Sequence, residues 1–317
     1  MQNRTNRIAI LTYFLLITLV VHSQQDAQYT QYMYNMSVVN PAYATDKPGN
    51  IELGGLYRSQ WVGLEGAPTT GTFFLHSPLS KNVEMGASII HDEIGEVVKE
   101  TNLYIDFAYL LRLGDNQRIS FGLKAGGSFY STNFDGFVLN DTPPDPAFVN
   151  NVSKIFPNIG LGTYYFSKNY YLGISMPNMI KSKHLDNKNG VYKIGTEEAH
   201  YFLTGGYVFR MNENLKFKPA FMAKAVSSAP VTLSITANTL LYNRVEFGIG
   251  YQLEDSISGL VNFSITPSLR IGYAYDRTIS NLGQFNSGSH EIILLFNLKN
   301  RLTRDNENGY DKSPRFF

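Results

Sequence analysis

The sequence contains no cysteine, which excludes a disulfide-stapled scaffold, a cysteine-ligated zinc site, a thiol nucleophile and a lipid anchor carried on cysteine. Charged residues are also scarce, at 17% of the 317 residues, against about 25% in soluble domains. The 27 Lys and Arg almost balance the 26 Asp and Glu. This balance excludes a strongly cationic nucleic-acid-binding protein and an acidic disordered chain. Tryptophan occurs once, whereas Tyr, Phe and Gly are abundant, which favours short alternating strands over apolar helices.

Long apolar runs are missing except near the start of the chain. Basic residues precede an apolar stretch from Ile8 to Val21, and Ser23 follows it. A membrane-spanning helix needs about 20 residues, and this stretch is shorter. We therefore expect a cleaved secretory signal over residues 1–23, with Gln24 as the first mature residue, rather than a membrane anchor. The mature protein is then expected to leave the cytoplasm.

From residue 50 onward the apolar pattern has a period of two. In residues 101–112, Leu103 and Ile105 share one face, while Asn102 and Asp106 share the other. A helix needs apolar residues three and four positions apart, and these segments lack them. Such runs occupy residues 50–61, 69–77, 83–92, 100–113, 117–131, 156–167, 170–177, 199–211, 214–225, 230–242, 244–254, 257–266, 268–278 and 288–299.

The lengths and spacing of these runs favour a membrane barrel. Many of these runs have lengths close to those of tilted membrane strands, which need about 9–11 residues. The runs number about 14, and single-chain bacterial barrels have an even number of strands. Short gaps follow the even-numbered runs, and longer gaps follow runs 1, 3, 5, 7 and 13, although the gaps after runs 9 and 11 are also short. The predicted fold is an all-β, transmembrane antiparallel β-barrel of about 14 strands in the outer membrane. Its short turns and both mature termini are expected in the periplasm.

The polarity of the two strand faces indicates which one faces lipid and which one faces the lumen. Because lipid supplies no hydrogen bonds, a closed barrel turns its apolar face outward. The lumen then receives charges of both signs, namely Glu52, Arg58, Asp106, Arg112, Lys124, Arg210, Lys216, Lys218, Lys224, Arg244, Glu246, Arg270 and Asp276. A turn centred on Asp115 would place Asp106 opposite Lys124. Glycines on the lumen face, such as Gly122, leave room for a segment inside the barrel.

Four parts of the chain are expected. Residues 1–23 form the signal, residues 24–49 an N-terminal segment that plugs or lines the lumen, residues 50–299 the barrel, and residues 300–317 a polar periplasmic tail. The N-terminal segment is too polar for lipid, and its aromatic residues are unusual for a free tail. A disordered leader is the alternative for this segment.

No catalytic, metal-binding or cofactor-binding motif is present, and we expect no enzymatic activity. The six histidines show no HExxH spacing, and there is no GxSxG elbow or phosphate-binding loop. His91, Asp92 and Glu93 are adjacent, but they end a strand, and no further ligands lie nearby in sequence. We interpret them as a solvated start of a loop.

Several motifs resemble those of a known family. They are Gln28-Tyr29-Thr30-Gln31-Tyr32, Val39-Asn40-Pro41-Ala42-Tyr43-Ala44, Tyr57-Arg58-Ser59-Gln60-Trp61-Val62-Gly63-Leu64-Glu65-Gly66-Ala67-Pro68, Phe121-Gly122-Leu123-Lys124-Ala125-Gly126, Pro157-Asn158-Ile159-Gly160-Leu161-Gly162, His200-Tyr201-Phe202, Leu269-Arg270-Ile271-Gly272-Tyr273-Ala274-Tyr275-Asp276 and Gly288-Ser289-His290-Glu291. With these motifs the chain resembles the PorP/SprF proteins, outer-membrane components associated with type IX secretion and gliding motility. The resemblance covers nearly the whole mature chain. Met36-Ser37 departs from the turn that the family pattern leads us to expect.

The resemblance implies a non-enzymatic barrel that binds protein partners. These would be secreted adhesin-type surface proteins and periplasmic or outer-membrane parts of the secretion and gliding machinery, with membrane lipid around the barrel and no nucleic acid. Candidate plug or partner residues are Gln28, Tyr29, Gln31, Tyr32, Asn40, Pro41, Arg58, Gln60, Trp61, Glu65, Pro68, Asp276, His290 and Glu291. For Arg58 and Trp61, partner contact and simple packing remain equal alternatives.

A different function is a channel for a small, hydrophobic solute, because a plugged barrel of about 14 strands also describes fatty-acid channels. Such a solute needs an apolar pocket, and the predicted lumen is charged over most of its length. A barrel hydrolase is a third alternative, which the absence of a nucleophile–base motif disfavours.

Overall fold

The computed structural model describes residues 28–43, 50–95, 97–135, 151–180, 182–185, 194–227 and 229–299. The expected signal, residues 1–23, and the expected tail, residues 300–317, lie outside the described residues. The strands are β1 (Asn50–Ser59), β2 (Thr69–Pro78), β3 (Val83–Ile94), β4 (Val98–Arg112), β5 (Arg118–Thr132), β6 (Ser153–Phe166), β7 (Tyr170–Met176), β8 (Ser182–Leu185), β9 (Ile194–Glu197), β10 (His200–Tyr207), β11 (Phe209–Arg210), β12 (Leu215–Val226), β13 (Thr232–Leu241), β14 (Val245–Gln252), β15 (Ser256–Thr266), β16 (Leu269–Thr278) and β17 (Ser289–Lys299).

The strands form one closed antiparallel barrel. Each barrel strand pairs with its neighbours in the chain, and β17 pairs with β1 from Asn50↔Lys299 to Ser59↔His290, which closes the ring. Strand β10 pairs with both β7 and β12, and β11 continues it on the same partner, β12. Within the described residues this gives a barrel of 14 strands. The predicted fold is confirmed, and the additional hairpin of β8 and β9 lies in the long connection that follows β7.

Alternation along each strand separates the two faces of the barrel wall. On β4, Leu103 and Ile105 are exposed on the outside, whereas Tyr104 and Asp106 are buried inside. The register places Asp106 opposite Lys124, as the sequence predicts. The period-two pattern therefore identifies both the strands and the direction in which their side chains point.

Large apolar side chains cover the outer surface. Examples from four strands are Phe73, Leu123, Ile174 and Ile249, all of which are exposed. An exterior of this kind is stable in lipid, because the closed ring of strands satisfies the backbone hydrogen bonds internally. Among the described residues no helix combines the length and the apolar character needed to cross a membrane.

The connections define two mouths of the barrel. The short-turn mouth carries the connections at residues 79–82, 113–117, 167–169, 211–214, 242–244 and 267–268. The long-loop mouth carries the connections at residues 60–68, 95–97, 133–152, 177–199, 227–231, 253–255 and 279–288. The connection after β3 is shorter than the sequence suggests, because the β3–β4 ladder extends to Ile94↔Val98 and closes at Gly95, whose φ is +62°.

The buried core of the molecule lies in the lumen and not between layers of secondary structure. Residues 28–43, hereafter the N-terminal segment, contain a 3-10 turn at Tyr32–Tyr34 and one helical turn at Met36–Val39. Tyr32, Met33, Tyr34 and Met36 are buried against inward-facing wall residues such as Phe74. The apolar surface that this segment buries is the main packing inside the barrel.

Candidate functional site

The Arg58 cluster, defined as Arg58, Asp276 and Glu291, lies near the long-loop mouth. Arg58 Nη2 is 2.7 Å from Asp276 Oδ2, and Arg58 Nη1 is 3.1 Å from Glu291 Oε2. The Thr30 hydroxyl donates to Asp276 at 2.6 Å and accepts from Arg58 at 2.8 Å. Glu291 accepts the backbone N–H groups of Thr30 at 2.9 Å and of Gln31 at 2.8 Å. The cluster thus binds the backbone of the N-terminal segment directly.

Closure of the barrel assembles the Arg58 cluster. Arg58 on β1 is the register partner of Glu291 on β17, and Asp276 lies on the adjacent strand β16. The side chains of Arg58 and Glu291 are 6% and 0% exposed. Buried charges are costly unless they are paired and hydrogen-bonded. Here one guanidinium and two backbone N–H groups compensate the carboxylates, so contacts from the N-terminal segment stabilise the cluster.

The Glu246 cluster, defined as Glu246, Arg270 and Asn238, binds the middle of the segment. The Tyr34 hydroxyl donates to Glu246, and Arg270 Nη1 lies 3.3 Å from the same carboxylate. Arg270 also donates to the Tyr34 hydroxyl at 3.0 Å, and Asn238 donates to Glu246 at 2.8 Å. A buried carboxylate is therefore shared between the wall and a tyrosine of the segment.

A third contact uses the buried pair of Lys124 and Asp106. Lys124 Nζ lies 3.2 Å from Asp106 Oδ1, and it donates to the backbone carbonyl of Ser37 at 2.9 Å. The same ammonium group sits 4.8 Å from the centre of the Tyr104 ring. The cross-strand pair that the sequence predicts is confirmed, and its cation also binds a carbonyl within the helical turn.

Small wall residues let the segment approach the wall toward the short-turn mouth. Asn40 Nδ2 donates to the carbonyl of Thr163 at 3.1 Å. A Cβ atom on Gly122 would overlap the backbone of Pro41, and a Cβ atom on Gly162 would overlap the Asn40 side chain. These glycines are required by close approach of the segment.

Most of the sequence candidates meet inside the lumen. They are Gln28, Tyr29, Gln31, Tyr32, Asn40, Pro41, Arg58, Asp276 and Glu291. Gln28 accepts a hydrogen bond from Gln252 at 3.2 Å, and the Tyr29 hydroxyl lies 3.0 Å from the Thr72 hydroxyl. Tyr32 is almost completely buried.

The remaining candidates lie at the long-loop mouth or on the outer surface. Gln60 donates its backbone N–H to the carbonyl of Pro68 at 3.0 Å, and Trp61 and Glu65 lie in the loop between them. His290 is separate from the lumen, because it points outward and its Nδ1 lies 2.6 Å from the hydroxyl of an outward-facing tyrosine. His290 therefore does not contact the N-terminal segment.

Several residues of the N-terminal segment that bind the wall were not among the sequence candidates. Thr30 and Tyr34 both bind buried charges of the wall, and Ser37 binds Lys124 through its carbonyl. Thr30 lies inside the motif Gln28–Tyr32, which contains four of the candidates, so its position in that motif could have identified it. Ser37 binds Lys124 through its backbone carbonyl, a group that every residue has, so its side chain gave no indication of this contact.

Four cations expected in the lumen lie instead at the short-turn mouth, where they are exposed or half-buried, namely Arg112, Arg210, Lys216 and Arg244. Each stands at the end of a strand, beyond the last buried position. The lumen itself holds Glu52, Lys218 and Lys224 as predicted.

The residues of the site bind a segment of the same chain. Within the described part of the chain, no group of three or more His, Asp or Glu side chains could hold a metal. His91 Nδ1 lies 2.8 Å from the Thr101 hydroxyl, and Glu93 pairs with Lys99 at 2.6 Å. His91 and Glu93, two positions apart, therefore bind separate neighbours on β4.

Comparisons with known proteins identify a family and related shapes. The family model described as type IX secretion system membrane protein PorP/SprF matches residues 21–296. The toluene transporter TodX of Pseudomonas putida is similar in structure, with a TM-score of 0.49 and 12% identity over 84% of this chain and 93% of that chain. The outer membrane protein Omp33 of Acinetobacter baumannii has a TM-score of 0.44 and 9% identity over 80% of this chain and 100% of that chain. The search of curated proteins gave no match.

Proposed function

The chain belongs to the PorP/SprF family of type IX secretion system membrane proteins, and from this membership we propose that it supports secretion by binding protein partners, without enzymatic activity. It is an outer-membrane β-barrel. The proposed partners are secreted adhesin-type surface proteins and periplasmic or outer-membrane components of the secretion and gliding machinery. The barrel retains or anchors such partners.

The observation that carries this proposal is the occupied lumen. The N-terminal segment lies between the walls and is bound by the Arg58 cluster, the Glu246 cluster and Lys124. Because the protein's own chain occupies this position in the lumen, the two mouths are the surfaces that we propose for partner docking.

The loop of Trp61 at the long-loop mouth is the favoured docking surface. Val62 donates to the carbonyl of Gly288 at 2.8 Å, and Ser287 donates to the carbonyl of Val62 at 2.7 Å, so two loops are braced together. Trp61 has a φ of +44°, which is rare for a bulky residue and costs about 1–3 kcal/mol. Strained residues concentrate at binding sites, where the surroundings hold them in place.

The alternative of a hydrophobic-solute channel has weaker support. A cleft beside the N-terminal segment is lined by charged and hydroxyl side chains, such as those of Arg58, Asp276 and Ser258, together with apolar groups of Tyr32 and Leu260. Apolar ligands need pockets with few polar groups. A hydrocarbon in this cleft would lie against the charged side chains of Arg58 and Asp276.

Replacement of Trp61 tests the docking role. Trp61→Gly removes the side chain at a backbone conformation that glycine adopts without strain. Because a tryptophan anchor contributes about 2 kcal/mol or more to binding, we expect severalfold less secreted protein on the surface of washed cells and more in the medium. Quantitative mass spectrometry of both fractions measures this in strains with equal barrel levels.

Tyr57→Ala is the matched control, because Tyr57 is an exposed aromatic residue on the outer face of β1, the strand that leads into the loop of Trp61. It tests whether loss of any aromatic at the membrane edge reduces retention. Normal retention in Trp61→Gly cells, or equal losses in the two strains, would show that Trp61 only packs or lines the membrane edge.

A further inference from the structure

The N-terminal segment spans the lumen from one mouth to the other. At one end Gln28 binds Gln252, the last residue of β14 at the long-loop mouth. At the other end the Tyr43 ring packs edge-on against His76 at 5.1 Å, and His76 lies toward the short-turn end of β2. The contacts between them follow the same order along the chain, from the Arg58 cluster to the Glu246 cluster and Asn40.

The direction of the segment is set by the start of the barrel. Strand β1 begins at Asn50, opposite Lys299, at the short-turn mouth. The chain therefore runs from Gln28 at the long-loop mouth, through the lumen, to Tyr43 and then to Asn50. The barrel surrounds its own N-terminal segment.

We propose that the mature N terminus is displayed at the long-loop mouth, on the cell surface, and that the N-terminal segment threads through the barrel. This differs from the expectation that both mature termini lie in the periplasm. The inference concerns the path of the chain and does not depend on the partner proposed above.

Chain length supports this position of the N terminus. If the signal ends at Ser23, residues 24–27 precede Gln28. Four extended residues reach at most about 14 Å, whereas the hydrocarbon core of a bilayer is about 30 Å thick. The chain before Gln28 is too short to return to the opposite mouth.

The contacts also oppose withdrawal of the segment toward the short-turn mouth. If the segment moved toward the short-turn mouth, the Arg58 cluster would lose its hydrogen bonds to the N–H and hydroxyl groups of Thr30 and Gln31. Uncompensated buried charges are strongly destabilising. The threaded position is thus the stable one, and it brings Gln28 to the same mouth as the loop of Trp61.

Single cysteines test the path cleanly, because the natural chain has none. Gln28→Cys is compared with Asn281→Cys, in an exposed loop of the long-loop mouth, and with Asp115→Cys, whose parent side chain is 97% exposed in a short turn. Ala27→Cys gives a second, independent position. Intact cells are treated with a large polyethylene-glycol maleimide that does not cross the outer membrane, before and after permeabilisation, and folding is checked by heat-modifiable gel mobility.

The proposal expects Gln28→Cys and Ala27→Cys to react on intact cells, as Asn281→Cys does, while Asp115→Cys reacts only after permeabilisation. If the two N-terminal cysteines follow Asp115→Cys, or stay unlabelled under both conditions in folded protein, the proposal is overturned. Retention of secreted proteins is a separate measurement, so failure of the docking proposal leaves this result unaffected.

Discussion

Arg58 is a cation enclosed by two carboxylates, and its partners come from both the wall and the N-terminal segment. Its removal would leave Asp276 and Glu291 facing each other with no neutralising charge. Breaking a buried pair in this way costs about 3–5 kcal/mol. We therefore expect Arg58→Met to lower the free energy of unfolding by about this amount, measured by urea titration of the detergent-folded barrel with gel mobility as the readout.

Arg112→Met provides the control at the residue scale. Arg112 also forms an ion pair, with Asp115 at 3.3 Å, but the two side chains are 59% and 97% exposed. Exposed pairs contribute about 0–1 kcal/mol. Equal losses in Arg58→Met and Arg112→Met would contradict the view that burial makes the Arg58 cluster important.

At the scale of the element, the barrel strands are readable from sequence because each one is defined by a local pattern. Exposed apolar residues alternate with buried residues, most of them polar or small, along much of strands such as β4 and β5. The register of Asp106 and Lys124 follows from the turn between those strands. The β8–β9 hairpin lies in a connection without such alternation, and sequence analysis missed it.

Sequence analysis identifies the N-terminal segment but does not give its path through the lumen. Its helical turn spans only Met36–Val39, too short for a periodic pattern. Its contacts join residues far apart in the chain, such as Tyr34 with Glu246 and Thr30 with Glu291. The motif identified the segment, but its direction through the lumen depends on these distant contacts.

Deletion of residues 28–43 should convert the barrel into an open pore. The segment supplies the side chains that fill the lumen, whereas the strand ladder is made by residues 50–299. Because the wall hydrogen bonds remain, a folded barrel is still expected, with reduced stability. Planar-bilayer recordings should show steady ion conductance for the deletion variant and little for the full chain.

The matched control is a chain that lacks residues 300–317, which leaves every described lumen contact in place. It should conduct as little as the full chain. Closed recordings for a folded chain without residues 28–43 would mean that the loops, rather than the N-terminal segment, seal the barrel.

At the scale of the whole molecule, polarity is inverted relative to a soluble protein. Charged pairs such as Arg58–Asp276 and Lys124–Asp106 are buried at the centre, while the apolar side chains face outward. Lipid outside and a polar lumen inside make this arrangement stable. The low charge content of the sequence follows, because about half of each strand must suit hydrocarbon.

The position of the molecule in the bilayer gives the final prediction. Leu123 and Leu113 are both 56% exposed, but Leu123 lies well within β5, whereas Leu113 lies in the short turn before it. An arginine facing lipid costs about 2–4 kcal/mol at the midplane and about 0–1 kcal/mol near the interface. Leu123→Arg should therefore lower the free energy of unfolding from lipid vesicles by more than Leu113→Arg does, as urea titration would measure.

Because residue type and exposure are matched, the difference between the two variants reports their depth in the bilayer. Similar costs at the two positions would mean that the hydrocarbon layer does not centre on the strands, and that the apolar surface of the barrel is covered by something other than lipid.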